Sequence, residues 1–233
     1  MNLIKVKNYE EMSRAAADLL LAQVREKPAG VLGLATGSSP MGLYKNMAES
    51  GADFSKVTTV NLDEYCGLSA DNPQSYRYFM NENLFSRINI SMDNTHVPDG
   101  MAANPDAEAE RYEKLIEKLG GVDLQLLGMG HNGHIGFNEP DEEFVAETHR
   151  VYLAGQTIKA NSRFFASPGE VPTSAITMGI RTIMQARKII VIASGNDKTN
   201  ILKKALYGAI TPQVPASVLQ LHQNLTVVTD CLE

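Results

Sequence analysis

The chain has 233 residues, of which 43% are hydrophobic and 21% charged, and a formal net charge of -6 at pH 7. This length is enough for one substantial core, so we predict a single domain over residues 1–233. The negative charge argues against a nucleic-acid surface, which needs clustered Lys and Arg, and the longest strongly apolar run, Ile189–Ala193, is too short to cross a bilayer.

The amino-terminal stretch MNLIKVKNYEEM alternates charged and apolar residues, which is not typical of a signal peptide. The two cysteines, Cys66 and Cys231, are far apart and have no CxxC spacing, so neither a disulfide scaffold nor a zinc knuckle is indicated. We therefore predict a cytoplasmic protein that binds neither membranes nor nucleic acids.

Strand-like and helix-like segments alternate along the chain. In chain order they are a strand-like start at 1–6, a helix at 12–26, a strand at 31–35, a helix opened by Pro40, a strand at 57–62, helices at 73–85 and 105–119, strands at 122–127 and 188–193, a helix at 198–206 and a strand at 225–229. Such alternation predicts an α/β fold with three layers, in which a mostly parallel, Rossmann-like sheet carries helices on both faces.

In open sheets of this kind the ligand lies beyond the carboxyl ends of the strands, so the loops after the strands should converge on one cleft. Residues 141–172 break the alternation and contain Gly155, Pro168 and Gly169. We predict that they form a lid over this cleft.

The loop after the strand at 31–35 reads ATGSSP and contains Thr36, Gly37, Ser38 and Ser39. Small residues before a helix amino terminus expose backbone N–H groups and form a potential anion site. It is not a P-loop, because GxxxxGK[ST] is absent. The alternative is a structural turn at Gly37 with Ser39 as the helix cap.

The segment NLDEY places Asp63 and Glu64 directly after the strand at 57–62. Side chains alternate along a strand, so one of these two carboxylates should face the cleft, where it could act as a general base. The alternative is a solvated turn.

The loop GHNGHIGFNEP contains His131, Asn132, His134 and Glu139. A metal site on His131 and His134 is disfavoured, because their spacing suits a helix and the glycines oppose one. We predict a single catalytic imidazole, oriented by a carboxylate and an amide.

Two further segments, ANSRFF and SGNDK, supply Arg163 and Lys198. Cations placed after strands can hold a phosphate, Arg through its planar fork and Lys as a point charge. Solvated surface cations are the alternative.

Taken together, LATGSSPMGLYK, NLDEYCGL, DNPQSYRYFM, GMGHNGHIGFNEP, ANSRFF, TMGIRTI and PASVLQLH resemble, in order and over nearly the whole chain, the glucosamine-6-phosphate deaminase (isomerase) family. The resemblance implies reversible conversion of glucosamine 6-phosphate, an amino-sugar phosphate, to fructose 6-phosphate and ammonia, without a metal or another cofactor.

The resemblance also implies a role for each site residue. Asp63 would move the proton between C2 and C1 through an enolamine, and His134 would open the sugar ring, oriented by Glu139 and Asn132. The phosphate would be bound by Thr36, Gly37, Ser38, Ser39, Arg163 and Lys198. Many family members have Asp where this chain has Asn132, which cannot ionise.

Two other functions are considered. A 6-phosphogluconolactonase shares the fold, but its histidine precedes a stretch similar to ASLFP, and ester hydrolysis has no use for the NLDEY base. A non-catalytic sugar-phosphate sensor would carry a DNA-binding domain, for which the early strand-like start leaves no room. Longer family members are allosteric hexamers, whereas for this shorter chain we expect a monomer or a small homo-oligomer.

Overall fold

The computed structural model describes residues 1–153 and 171–232, and ten strands are assigned within them. They are β1 (Asn2–Lys5), β2 (Val31–Leu34), β3 (Thr58–Asn61), β4 (Asp63–Tyr65), β5 (Thr95–His96), β6 (Leu124–Gly128), β7 (His149–Tyr152), β8 (Ser174–Thr177), β9 (Ile189–Ala193) and β10 (Leu225–Thr229). Seven of them form a parallel sheet in the order β1-β10-β9-β6-β2-β3-β5.

Helices surround this sheet. They are α1 (Tyr9–Glu26), α2 (Met41–Glu49), α3 (Tyr76–Asn83), α4 (Pro105–Lys118), α5 (Ile180–Met184) and α6 (Thr199–Tyr207), with 3-10 turns at Phe85–Arg87, Met92–Asn94, Asn196–Lys198 and Pro215–Leu221. All five residues of β9 are buried, as expected for an interior strand of a parallel sheet. The predicted three-layer α/β fold with a mostly parallel sheet is confirmed.

Helix starts differ most from the sequence prediction, because capping groups set them. Asn8 accepts a hydrogen bond from the Glu11 N–H, so α1 begins three residues earlier than predicted. Ser75 caps α3 in the same way, and Pro73 lies in the turn before it. At α2, Pro40 occupies the cap position and no side chain caps the helix, so the alternative role of Ser39 as a cap is wrong.

A second, antiparallel sheet has the order β4-β8-β7 and was not predicted. The chain leaves the main sheet at Leu62 and enters the second sheet at Asp63, which pairs with Thr177. Strand β7 belongs to the predicted lid, whose residues 154–170 lie outside the described part of the chain. Through β8, the described part of that segment therefore belongs to the same sheet as the strand that carries Asp63.

Apolar side chains from the main sheet and the helices form one large buried cluster. A smaller cluster under the second sheet contains Tyr65, Leu68, Phe137, Leu153 and Ala175. Across residues 1–153 and 171–232, none of the helices has the length and hydrophobicity needed to cross a bilayer.

Candidate active site

A cavity of about 260 Å³ lies at the carboxyl ends of β2, β3, β6 and β9. Its lining includes Thr36, Gly37, Ser38, Ser39, Asp63, Tyr76, His131, His134, Phe137 and Lys198. The loops that follow four parallel strands therefore converge, as the strand pattern predicts. A larger cavity of about 560 Å³ lies at the amino ends of β1, β9 and β10, but its Lys188 already pairs with Glu26 at 2.7 Å.

The loop at 36–39 forms one wall of the cavity. Among the described residues, no acceptor is found for the backbone N–H groups of Gly37, Ser38 and Ser39, which border the cavity at the amino terminus of α2, where such groups can bind an anion. The Tyr9 hydroxyl holds the loop in place, because it donates to the Ser38 carbonyl at 3.0 Å and accepts from the Gly42 N–H at 2.9 Å.

Lys198 lines the same cavity and supplies the positive charge. Burial lowers the pKa of its ammonium, although the neighbouring Asp197 partly opposes the shift. Arg163, the second predicted phosphate cation, lies outside the described residues. The structure thus brings Lys198 together with the predicted anion loop.

Asp63 is a buried carboxylate that borders the cavity, with only 6% of its surface exposed. Burial, and then the charge of the adjacent Glu64, raise the pKa of Asp63 to about 8. Such a shift is typical of catalytic carboxylates, although buried structural pairs also show it.

Glu64 points away from this cavity, as strand alternation requires when Asp63 faces it. Its carboxylate accepts hydrogen bonds from the backbone N–H groups of Tyr65, Tyr76 and Arg77 at 2.8–2.9 Å. Burial raises the pKa of Glu64 to about 7, against the effect of these donors. Glu64 therefore anchors the first turn of α3, and neither carboxylate is part of a solvated turn.

His134 and Glu139 form a close pair in the histidine loop, with Nδ1 of the ring 3.1 Å from Oε1 of the carboxylate. The Nδ1 atom is buried, and its contact with the carboxylate falls short of hydrogen-bond geometry. Burial raises the pKa of Glu139, but His134 and the amide of Asn132 outweigh it, and the pKa lies below its usual value. Because Nδ1 faces Glu139, the other ring nitrogen is left for a ligand.

Asn132 bridges the two catalytic candidates of this loop. Its Nδ2 donates to Glu139 Oε2 at 2.5 Å, and its Oδ1 accepts from the His134 N–H at 3.1 Å. A carboxylate at this position could donate to Glu139 only while protonated, whereas an amide donates at every pH. The amide thus fixes the loop and favours the ionised form of Glu139.

Gly130 is required by the position of the His134 ring. A Cβ atom on Gly130 would lie 2.2–2.5 Å from three atoms of the imidazole, which is far inside van der Waals contact. The imidazole ring therefore packs directly against the backbone of the loop that follows β6.

Thr177 connects the histidine loop to the strand that carries Asp63. Its hydroxyl accepts a hydrogen bond from the Phe137 N–H at 3.1 Å, and its backbone pairs with Asp63 in the second sheet.

His131 has a separate partner, Asp197, whose Oδ2 lies 2.6 Å from its Nε2 at the exposed rim of the cavity. His131 and His134 therefore pair with different carboxylates, and no group of three potential metal ligands is found in the described part of the chain. This geometry does not favour a metal shared by the two histidines.

Two aromatic side chains of the cavity were not among the predicted site residues. The rings of Tyr76 and Phe137 stack with centroids 5.9 Å apart and an interplanar angle of 7°, and they form an apolar wall. Tyr76 lies in the segment DNPQSYRYFM and Phe137 in the histidine loop, so the resemblance had already marked both segments. Nothing in their local pattern distinguishes them from core aromatics.

The arrangement combines a loop of backbone N–H groups beside a lysine, a buried carboxylate with a raised pKa, an imidazole–carboxylate pair and an aromatic wall. These groups can bind a phosphorylated small molecule and move protons at two separate positions on it.

Comparison with known proteins places this site in context. Residues 7–228 match the family model described as glucosamine-6-phosphate isomerases/6-phosphogluconolactonase. The glucosamine-6-phosphate deaminase of Lachnoclostridium phytofermentans is 58% identical over all of both chains, and that of a Geobacillus species is 56% identical over 99% of this chain and 93% of its own.

Solved structures give the same grouping. A monomeric glucosamine-6-phosphate deaminase has a TM-score of 0.94 and 44% identity, over 98% of this chain and 97% of its own. The 6-phosphogluconolactonase of Thermotoga maritima has a TM-score of 0.76 and 20% identity over 98% of both chains, a likeness of fold alone.

Proposed function

Since the chain belongs to the family of glucosamine-6-phosphate isomerases and 6-phosphogluconolactonases, we propose that it converts glucosamine 6-phosphate reversibly to fructose 6-phosphate and ammonia. Relatives that are 52–58% identical over 99–100% of the chain are glucosamine-6-phosphate deaminases, and the chain is an enzyme of that type. A non-catalytic sensor is therefore set aside.

One observation favours isomerisation and deamination over lactone hydrolysis. The cavity holds two separate proton-transfer candidates, the buried Asp63 and the His134–Glu139 pair. Hydrolysis of a lactone needs a single base to activate water, whereas aldose–ketose isomerisation needs a second base at C2.

In the proposed first step, the phosphate binds to the backbone N–H groups of the loop at 36–39 and to Lys198, with Arg163 as a further cation. The helix amino terminus and the ammonium both favour the anion. The sugar then extends towards Asp63 and His134, which line the same cavity.

Ring opening transfers a proton from O1 to O5, and His134 is the proposed carrier. Its Nδ1 lies against Glu139, so the other ring nitrogen would exchange the proton with the sugar. Glu139, with a lowered pKa, would stabilise the imidazolium that forms, and Asn132 would keep Glu139 ionised and in place.

Isomerisation would begin when Asp63 takes the C2 proton and a proton passes from the C2 ammonium group to O1, which gives an enolamine. The raised pKa means that the free carboxyl is largely protonated at pH 7. A substrate ammonium group on C2 would bring a positive charge beside it and favour the carboxylate. Return of the proton to C1 gives an imine at C2, and its hydrolysis releases ammonia and the ketose.

The proposal requires no metal or redox cofactor. A cytoplasmic location is part of it and is supported by the free thiols of Cys66 and Cys231. We propose a monomer or a small homo-oligomer, and the similar solved structure is described as monomeric.

The test is a product analysis with purified protein and glucosamine 6-phosphate. Fructose 6-phosphate and ammonia should appear in equal amounts, and 6-phosphogluconolactone should not be hydrolysed above the buffer rate. With substrate deuterated at C2, label should move to C1 or to solvent. Lactone hydrolysis without ammonia release would refute the assignment.

A further inference from the structure

Asp230 lies just beyond the carboxyl end of β10, next to the loop that carries Lys198. We propose that Asp230 is a positioning residue, which holds the segment 194–198 (the lysine loop) in the conformation that presents Lys198 to the anion site. The proposal rests on the proposed function, because it takes the anion at Lys198 to be the substrate phosphate.

The carboxylate of Asp230 makes two hydrogen bonds at the start of the lysine loop. Its Oδ2 accepts from the Ser194 hydroxyl at 2.6 Å, and its Oδ1 accepts from the Gly195 N–H at 2.9 Å. Bonds to an ionised acceptor are stronger than neutral ones, and two of them fix the orientation of the bonded peptide.

Gly195 links Asp230 to Lys198, because it is hydrogen-bonded to both residues. Its carbonyl accepts the Lys198 N–H at 3.0 Å and lies 3.1 Å from Sγ of Cys231. Gly195 has φ +103°, where a residue with a Cβ would be strained and would also meet Asp197 at 2.6 Å. The end of the loop is tied to the same segment, because the Thr199 hydroxyl donates to the Cys231 carbonyl at 3.0 Å.

Electrostatics and positioning predict opposite effects of removing Asp230. Asp230 is a negative charge near a site for an anion, so loss of its charge alone should strengthen anion binding. If Asp230 acts by holding the loop, loss of its hydrogen bonds should weaken anion binding, because Lys198 would no longer be held towards the ligand.

Two substitutions separate geometry from charge. Asp230→Asn can keep both contacts, with its oxygen towards the Gly195 N–H and its amide donating to the Ser194 oxygen. Asp230→Ala removes both. We expect the dissociation constant for inorganic phosphate, measured by calorimetry, to rise roughly 10-fold in Asp230→Ala and to stay near the wild-type value in Asp230→Asn.

A double-mutant cycle tests whether the effect passes through Lys198. In the Lys198→Ala background, Asp230→Ala should cause no further loss of phosphate affinity. In steady-state assays, Asp230→Ala should raise the KM for glucosamine 6-phosphate and leave kcat within about 3-fold, since removal of uniform binding acts on KM. Far-UV circular dichroism checks that each variant is folded. If Asp230→Ala does not fold, Ser194→Ala replaces it: this variant removes one of the two hydrogen bonds and should weaken phosphate binding by a few-fold.

Several outcomes would overturn the proposal. These are unchanged or tighter phosphate binding in Asp230→Ala, equal losses in the Ala and Asn variants, additive losses in the cycle, or no effect of Lys198→Ala alone. Phosphate binding is measured without turnover, so a protein that releases no ammonia but shows the expected pattern would refute the proposed function and leave the role of Asp230 standing.

Discussion

Replacing Asp63 by Asn should make the protein more stable at neutral pH while it removes activity. Asp63 is almost fully buried, and burial together with the charge of Glu64 raises its pKa to about 8. In the unfolded chain an Asp ionises near pH ~3.9. Between these two values the folded protein binds a proton that the unfolded chain has released.

The folded state therefore loses stability as the pH rises through this interval. Unfolding releases the proton, so the free energy of unfolding falls with pH from about 4 up to about 8. The interval from the pKa of the unfolded chain up to pH 7 is about 3 pH units. Each unit lowers the free energy of unfolding by about 1.4 kcal/mol, so the buried carboxyl costs at most about 4 kcal/mol of stability at pH 7. Asn has nearly the same shape and cannot ionise, so it avoids this cost.

We expect Asp63→Asn to raise the free energy of unfolding by about 1–4 kcal/mol at pH 7 and to leave it nearly unchanged at pH 4.5. For a chain of this size, this corresponds to an increase in Tm of a few degrees to roughly 10 °C. Thermal and urea unfolding at both pH values measure the effect. Turnover should fall by at least ~10², because the base for the C2 proton is lost.

Glu64→Gln is the matched control, since it changes the neighbouring carboxylate in the same way. Its oxygens accept three backbone N–H groups, so a Gln amide would face a donor and leave a buried group unpaired. The unpaired donor costs about 1–3 kcal/mol and opposes the gain from removing a buried carboxyl with a raised pKa, so Glu64→Gln should stabilise the protein less at pH 7 than Asp63→Asn does. Asp63→Asn with reduced stability at pH 7 would refute the buried, protonated carboxyl, and normal deamination would refute its role as the base.

Four further outcomes are expected. His134→Gln should slow turnover of the cyclic substrate by roughly 10²–10⁴, the usual contribution of a positioned acid/base, and a wild-type rate would indicate a structural loop. Lys198→Ala and Arg163→Ala should each raise KM roughly 10- to 150-fold through loss of a charge-assisted contact, whereas equal use of unphosphorylated glucosamine would show that the anion site is misassigned. The pH profile of kcat/KM should fall below about pH 8, because this profile reports the pKa of the base in the free enzyme, where that of Asp63 is raised to about 8, and a profile that is flat down to pH 5 would contradict this. Activity should survive exhaustive chelation, and loss with EDTA followed by recovery with Zn²⁺ would revive a metal site at His131 and His134.

The sequence was sufficient to predict the main sheet and the cleft. Continuous apolar runs such as Ile189–Ala193 indicate strands that are buried on both faces, and their alternation with helices predicts that the strands are parallel. Since parallel strands all end at one edge, the positions of Ser38, Asp63, His134 and Lys198 just after strands were enough to place them in one cavity.

Local pattern could not predict the contacts that depend on pairing between distant segments. The second sheet rests on short strands of three or four residues, such as β4 and β8, which carry too little periodicity to be recognised. Alternation indicated that one of Asp63 and Glu64 faces the cleft, but the choice follows from the pairing of Asp63 with Thr177 and from the position of α3 beside Glu64.

The partners of the charged groups were likewise decided by tertiary structure. The contacts of His131 with Asp197 and of Asp230 with Ser194 join residues 66 and 36 positions apart. The raised pKa of Asp63 has the same origin, because burial depends on everything that packs around a side chain. Sequence therefore determined which chemical groups reach the cleft, and the packing of distant segments determined their orientation and protonation.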